Sequence, residues 1–300
     1  MKTTMCTALL VIGLVSGCQL RNTSDSNLYQ VQDWVKDDVF TQGVEGPAVD
    51  KNGVLYAVNY AKQGTIGHVN IQGEASLFVT LPEGSTGNGI RFDNAGNMYV
   101  ADYTGHNILQ ITPTKEVTVH AHEPQMNQPN DIAISDDGTL FASDPNWQQG
   151  DGQLWRIDTN GQVVRLKANM GTTNGIEVSP DNKVLYVNES VQRRVWAFPI
   201  KPNGLLGDAK LLYQFDKHGL DGMRTDERGN LYVARYGAGE VAIISPAGQL
   251  LRTVQLKGQF PTNVAFGGKN GRQVFVTMQK RGAIETFEAE YAGRAFTLIQ

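Results

Sequence analysis

The chain has almost no cysteine: it carries Cys6 and Cys18, and none follows them. The body of the sequence can therefore form no disulfide and offer no thiolate to a metal. Basic clusters are missing too. The formal charge is −4 with no cationic block, which disfavours nucleic-acid binding. No G-x-S-x-G elbow occurs, so a serine hydrolase is disfavoured. No stretch of helical period stands out. The apolar run at residues 8–15 is too short to span a bilayer comfortably. Glycine, by contrast, is plentiful at 33 residues, which suits many tight turns. With 40% apolar and 19% charged residues, a packed core is expected and disorder is not.

Residues 1–17, MKTTMCTALLVIGLVSG, read as a segment outside the fold, with a basic start at Lys2 and then the apolar run. The VSGC that follows resembles a bacterial lipobox. The resemblance implies cleavage before Cys18 and lipidation of that residue. Gln19 after it implies the outer membrane, with the protein facing the periplasm and touching the membrane through the lipid anchor only. A plain secretory signal with a coincidental cysteine is the alternative. Residues 18–28 are polar and read as a tether, leaving residues 29–300 for the fold.

One pattern recurs through that region. Its copies are VEGPAVDKNGVLYAVNY, GNGIRFDNAGNMYVADY, PNDIAISDDGTLFASDP, TNGIEVSPDNKVLYVNES, LDGMRTDERGNLYVARY and PTNVAFGGKNGRQVFVTM. The second residues are Glu45, Asn88, Asn130, Asn174, Asp221 and Thr262, spaced by 43, 42, 44, 47 and 41. Each copy holds a short strand, a D-x-x-G type turn and a second strand, and two weaker strand runs precede the next copy. Four strands per copy and six copies predict an all-β, six-bladed β-propeller. Residues 29–39 and the last segment are expected to share one blade and close the ring, because an open end would expose a strand edge.

The repeat separates two aspartates five residues apart in GLDGMRTDERGN. Asp226 aligns with Asp50, Asp93 and Asp136 at the turn, with Asp181 displaced by one, and reads as a turn former. Asp221 falls in the other column. The residue before each innermost strand sits at one mouth of the channel, so these six positions converge on the axis. All six carry oxygen, and none is apolar, Lys or Arg. Turn chemistry also favours Asn and Asp, but Glu45 is no turn former and stands before Gly-Pro. Two carboxylates and several amides drawn together would repel and lose hydration unless a cation sat between them. Ca²⁺ accepts six to eight oxygen ligands, and the lack of His and Cys in the column argues against zinc.

EGP near the start, PND in the third copy, NGIxxSPD in the fourth and DGMxxDxxGNLYVA in the fifth resemble one family. It is that of senescence marker protein (regucalcin), gluconolactonase and luciferin-regenerating enzyme. PTNVAFGG followed by VFVTM is similar to the bacterial gluconolactonases, and the likeness covers about residues 35–280 with its motifs in order. The resemblance implies a six-bladed propeller with one divalent metal, often Ca²⁺, in the channel. It implies hydrolysis of sugar lactones, with distant relatives cleaving organophosphates. The family's metal ligands fall on Glu45, Asn174 and Asp221. Its third-blade Asn, which contacts metal or substrate, falls on Asn130. Asn88 has no equally firm role and is treated as an outer ligand or substrate contact. Where many family lactonases carry an Arg that holds sugar hydroxyls, this chain has Gln128, a neutral amide in place of a cationic fork.

The expected chemistry is ester hydrolysis of a small molecule. The metal polarises the lactone carbonyl, Asp221 is general base, Glu45 and Asn174 fix the cation, and Asn130 orients the substrate. A second column, Asn59, Asp102, Asp144, Asn188 and Arg235, reads as loop capping, except that Arg235 could pair with a substrate carboxylate. His218 is close to Asp221 but reads as a solvated loop residue, and His120 and His122 form no metal site. Trp147 and Tyr236 could wall the pocket. A non-catalytic binding propeller and a phosphotriester hydrolase at the same metal remain open.

Overall fold

The computed structural model describes residues 27–298. The signal segment, Cys18 and nearly all of the tether lie outside them. Six four-stranded antiparallel sheets stand around one axis. The first comprises Phe40–Val49, Leu55–Tyr60, Thr65–Val69 and Ala75–Thr80, in that order from the axis outward. The innermost strands of the others are Gly87–Phe92, Ile132–Ile134, Thr173–Val178, Met223–Thr225 and Pro261–Gly267. Each touches the innermost strands of both neighbouring blades, which makes the ring.

The expected closure is present. Gln32–Val35 from the beginning of the fold pairs antiparallel with Ala283–Glu288 as the outer strand of the sixth blade. Trp34 packs edge-on against Phe275 with centroids 5.5 Å apart. Asp33 accepts from Lys257 at 2.7 Å and Arg281 at 2.9 Å across the same seam. Leu28, which the sequence places in the tether, already bridges Glu288.

Sequence and burial agree strand by strand. The second strands, such as Leu231–Arg235 and Met98–Asp102, are buried on both faces and read as continuous apolar runs. The outermost strands are mostly exposed, as in Leu250–Gln255. The core is divided into layers between blades: Tyr56, Val58 and Ile66 of the first blade interlock with Ile90, Met98 and Leu109 of the second. Each such fully buried side chain contributes about 1.5–3 kcal/mol, so every blade depends on its neighbours.

Two expectations need correction. Asp136 is not the counterpart of Asp50, Asp93 and Asp226. The turn-closing bond runs from Gly53 to Asp50, from Gly96 to Asp93 and from Gly229 to Asp226, but in the third blade from Gly138 to Ser135. Ser135 and, in the fourth blade, Ser179 open those turns. Asp137 and Asp181 accept their hydroxyls at 2.6 and 2.7 Å, so a serine–carboxylate pair does what one aspartate does elsewhere. Asp136 instead accepts from Arg294. The tail also departs from the blade: Arg294–Leu298 is a short helix. From it the Arg294 side chain enters the far end of the channel, donating to Ile134 O at 2.9 Å and lying 3.7 Å from Glu177.

Candidate functional site

Bulges aim the column residues. In the first, second, fourth and sixth blades the pairing of the two innermost strands slips at or beside the column residue, between Glu45 and Ala48, Gly87 and Ile90, Thr173 and Ile176, and Pro261 and Asn263. In the third and fifth, the regular strand starts only after Asn130 and Asp221. Such slips turn a side chain out of the ladder and toward a site. Glycine after the column residue makes the close approach possible. A methyl on Gly222 would lie 1.9 Å from the Asn263 side chain, and one on Gly46, whose φ is +56°, 1.9 Å from the Asn88 carbonyl.

All six column side chains line one cavity of about 440 Å³ at the mouth of the axis. Glu45, Asn88 and Asp221 keep some exposure toward it, while Asn130, Asn174 and Thr262 are buried. Thr262 is committed to structure, its hydroxyl bonding Val44 O and Thr277 Oγ1. The Glu45 and Asp221 carboxyls stand close enough for each charge to act on the other, and the Asn174 side chain favours the charged form of Asp221. Burial first, and then the neighbouring Glu45 charge, push the Asp221 carboxyl well above the usual range. Burial and the Asp131 charge push Glu45 up to about 7. The Glu45 carboxylate also accepts from the Gly46 amide.

Do these residues fit a hard cation? The carbonyl oxygen Oδ1 of Asn174 is buried with no hydrogen-bond partner, an orphan acceptor beside two carboxyls pressed together. An oxygen-seeking dication satisfies all three groups at once. Among the described residues no group of three or more His, Cys, Asp or Glu is placed to hold a metal. The donor set here is two carboxylates with amides, which suits Ca²⁺ rather than zinc.

Below this layer lies a second one that sequence reasoning missed. Asp131 is 1% exposed and holds Arg91 at 3.2 Å and Arg224 at 3.1 Å. Glu177 stands 3.6 Å from Arg91 and 4.0 Å from Arg224. Asn263 links the layers: its amide donates to Glu45 at 3.2 Å and to Asp131 at 3.4 Å. Traces were present in the repeat. The position after the column is Gly in four copies but Asp131 and Asn263 in the others. Two residues further on it is Ala in three copies but Arg91, Glu177 and Arg224 in the rest.

The second column caps loops, as most of it was expected to. Asp144 accepts from the amides of Asn127 at 2.8 Å and Gln128 at 2.6 Å, and from Trp155 at 2.9 Å. Asp102 accepts from Ser85 and Thr86. Asn188 donates to Asp221 O at 2.6 Å, holding that residue's backbone at the mouth. Arg235 corrects its expectation as a substrate contact. Its guanidinium lies 3.5 Å over the Phe215 ring, donates to Lys217 O and sits 3.5 Å from Glu240, away from the cavity lining. Gln128 does not line the axial cavity either. It lines an adjoining hollow of about 670 Å³ that shares Tyr103 and Trp147 with it. Tyr236 walls the axial cavity, its hydroxyl donating to Gln279 at 2.6 Å.

Comparison with known proteins agrees with this architecture. The model of the SMP-30/Gluconolactonase/LRE-like region matches residues 43–280. A gluconolactonase of Zymomonas mobilis is 29% identical over 216 residues, covering 63% of this chain and 60% of its own length. The chain thus spans less than two thirds of that relative. A diisopropyl-fluorophosphatase of Loligo vulgaris is 26% identical over 285 residues, covering 84% of this chain and 90% of its own. The crystal structure of a calcium-binding regucalcin from Agrobacterium tumefaciens superposes with a TM-score of 0.75 at 21% identity, covering 87% of this chain and 94% of that one. At that identity the superposition speaks for the fold alone.

Proposed function

Because this chain belongs to the SMP-30/gluconolactonase/LRE-like family, we propose that it is a metal-dependent lactone hydrolase, with Ca²⁺ as the metal and a small, uncharged ester as substrate. The observation that carries the reading is the facing Glu45–Asp221 pair beside the partnerless Asn174 oxygen in the axial cavity. A binding propeller without chemistry has no need to bring two carboxyls to the axis at this cost in repulsion.

Glu45, Asn174 and Asp221 would hold the cation, with Asn130 beside them and Asn88 as an outer contact. When bound, the metal supplies Lewis-acid polarisation of the lactone carbonyl. Asp221 takes the proton of the attacking water and returns it to the ring oxygen as the ester C–O bond breaks. Asn130 orients the carbonyl oxygen as its carbon becomes tetrahedral. Asn263 and Asn188 keep the Glu45 carboxylate and the Asp221 backbone in place.

Hydrolysis of glucono-δ-lactone with calcium and with chelator tests the proposal. Turnover that chelation abolishes and calcium restores is expected; turnover indifferent to chelator would sink it. A phosphotriester substrate is the second reading, favoured by the long match to the fluorophosphatase. A paraoxon-like phosphotriester hydrolysed faster than the lactone would select it, with diisopropyl fluorophosphate, cleaved at P–F, as the companion substrate.

The location is part of the proposal as well: a lipid on Cys18 tethers the propeller to the outer membrane, facing the periplasm. Incorporation of labelled palmitate that Cys18→Ala eliminates is expected; incorporation surviving that change would refute it.

A further inference from the structure

Building on the lactonase reading, we infer that the substrate is an uncharged disaccharide lactone: the lactone ring occupies the axial cavity and a second, neutral sugar ring lies in the adjoining hollow against Trp147. The two spaces adjoin, since Tyr103 and Trp147 line both, and their volumes of about 440 and 670 Å³ each exceed one ring. Trp147 is 44% exposed, a large flat ring left in water at the rim between them. It is held there rather than dangling. The loop that carries it is pinned by Gly150 donating to Asn146 O at 2.7 Å and Gln149 to Asn146 Oδ1 at 3.1 Å.

The remaining chemistry of the hollow is amide-rich, from Asn127, Gln128, Asn146 and Gln148. Each amide offers two donors and an acceptor, which match vicinal hydroxyls, while an aromatic face takes the C–H side of a sugar ring. Neither space is lined by Lys or Arg among the described residues. Beneath the hollow, the Asp144 carboxyl accepts from the Asn127 and Gln128 amides. A carboxylate, sulfonate or phosphate on the substituent would meet no fixed cation there, since the imidazole in the lining, His106, is engaged through Nδ1 with Met126 O. A plain alkyl tail would leave the amides without partners, a loss that discriminates strongly. An uncharged polyhydroxyl ring is what fits both facts.

The test is steady-state kinetics of the calcium-loaded full chain on glucono-δ-lactone, cellobiono-δ-lactone, an alkyl-substituted δ-lactone and glucarolactone, whose second carboxyl is ionised. Cellobionolactone is expected to exceed gluconolactone in kcat/KM by about tenfold, with the other two below both. Trp147→Ala is expected to bring the first ratio close to one by raising KM for the disaccharide lactone, and Trp147→Phe to keep most of it. Equal kcat/KM on the first two substrates in the parent protein overturns the proposal. So does preference for the alkyl or the charged lactone, or a Trp147→Ala loss equal on both sugars. If no lactone is turned over, the lactonase reading fails separately. Cellobiose then provides the test by indole fluorescence: quenching that Trp147→Ala removes supports the sugar subsite, and its absence overturns it.

Discussion

Asp131 and Asp221 are both carboxyls drawn to the axis of one propeller, yet they end in opposite conditions. Asp131 lies in a closed layer, where two arginines and the Asn263 amide satisfy it from within the chain. Asp221 lies in an open layer, where its neighbours are a second carboxyl and a single amide that leaves its own oxygen orphaned. The difference is one of partners as well as of depth. A buried charge is retained when something opposite compensates it. The lower layer carries its compensation in the sequence, and the upper layer has none from within the described residues, which is the basis of the proposed metal. The floor therefore fixes geometry, and the mouth is where the proposed chemistry would take place.

Breaking the mouth should cost activity and not the fold. Asp221→Asn is expected to lower kcat by about 10²–10⁴, the usual range for a lost general base, with an unchanged circular dichroism spectrum. A rate within threefold of the parent, roughly 0.6 kcal/mol, would be too small for that role.

Breaking the floor should do the reverse. Arg224→Met strips one partner from Asp131 and Glu177. It is expected to cost about 3–5 kcal/mol of stability in urea unfolding, because it leaves a buried negative charge without its cation. A loss under 1 kcal/mol would mean that Arg91 alone compensates Asp131.

Glu45→Gln tests the link between the layers. It keeps the shape and removes a charge, so calcium affinity by calorimetry should fall by at least about 10–100-fold, the loss that even a partner behind the ligands brings. The metal-free protein should melt higher, since the repulsion with Asp221 is gone. Unchanged affinity would move the metal elsewhere.

The smallest effect is a pH dependence of the metal-free protein. Glu45 is raised from 4.5 to about 7, so the folded state binds its proton more tightly than the unfolded chain does. Its contribution is intact below pH 4.5, is lost as pH rises toward 7, and is constant above. Melting in chelator should fall across that window, and saturating calcium should remove the slope. A flat profile in chelator would mean that Glu45 is less buried than it stands here.

Much of the molecule was legible beforehand. Six copies of one pattern set the blade number, because each copy must bury its strands against the next. The column Glu45, Asn88, Asn130, Asn174, Asp221 and Thr262 could be read from spacing, and it lines one cavity. The misreadings share a cause. Asp136 looked like a turn aspartate because Ser135 followed by Asp137 performs the same task with different atoms. Arg235 sat in the right column but faces Phe215, since rotation about its own bonds decides what it meets. The Asp131 network stayed hidden because its members differ from blade to blade and their partners lie 40 and 93 residues away.

The sequence by itself determined the six-fold repeat, the strand order within each blade and the ring of oxygen-bearing side chains around the axis. These follow from periodicity, which is local and additive along the chain. Only the tertiary structure decided which carboxyl is neutralised from within and which is left without a cationic partner, and that Trp147 stands between two hollows. Those outcomes depend on distances between blades, and a distance between residues far apart in sequence exists only once the ring has closed.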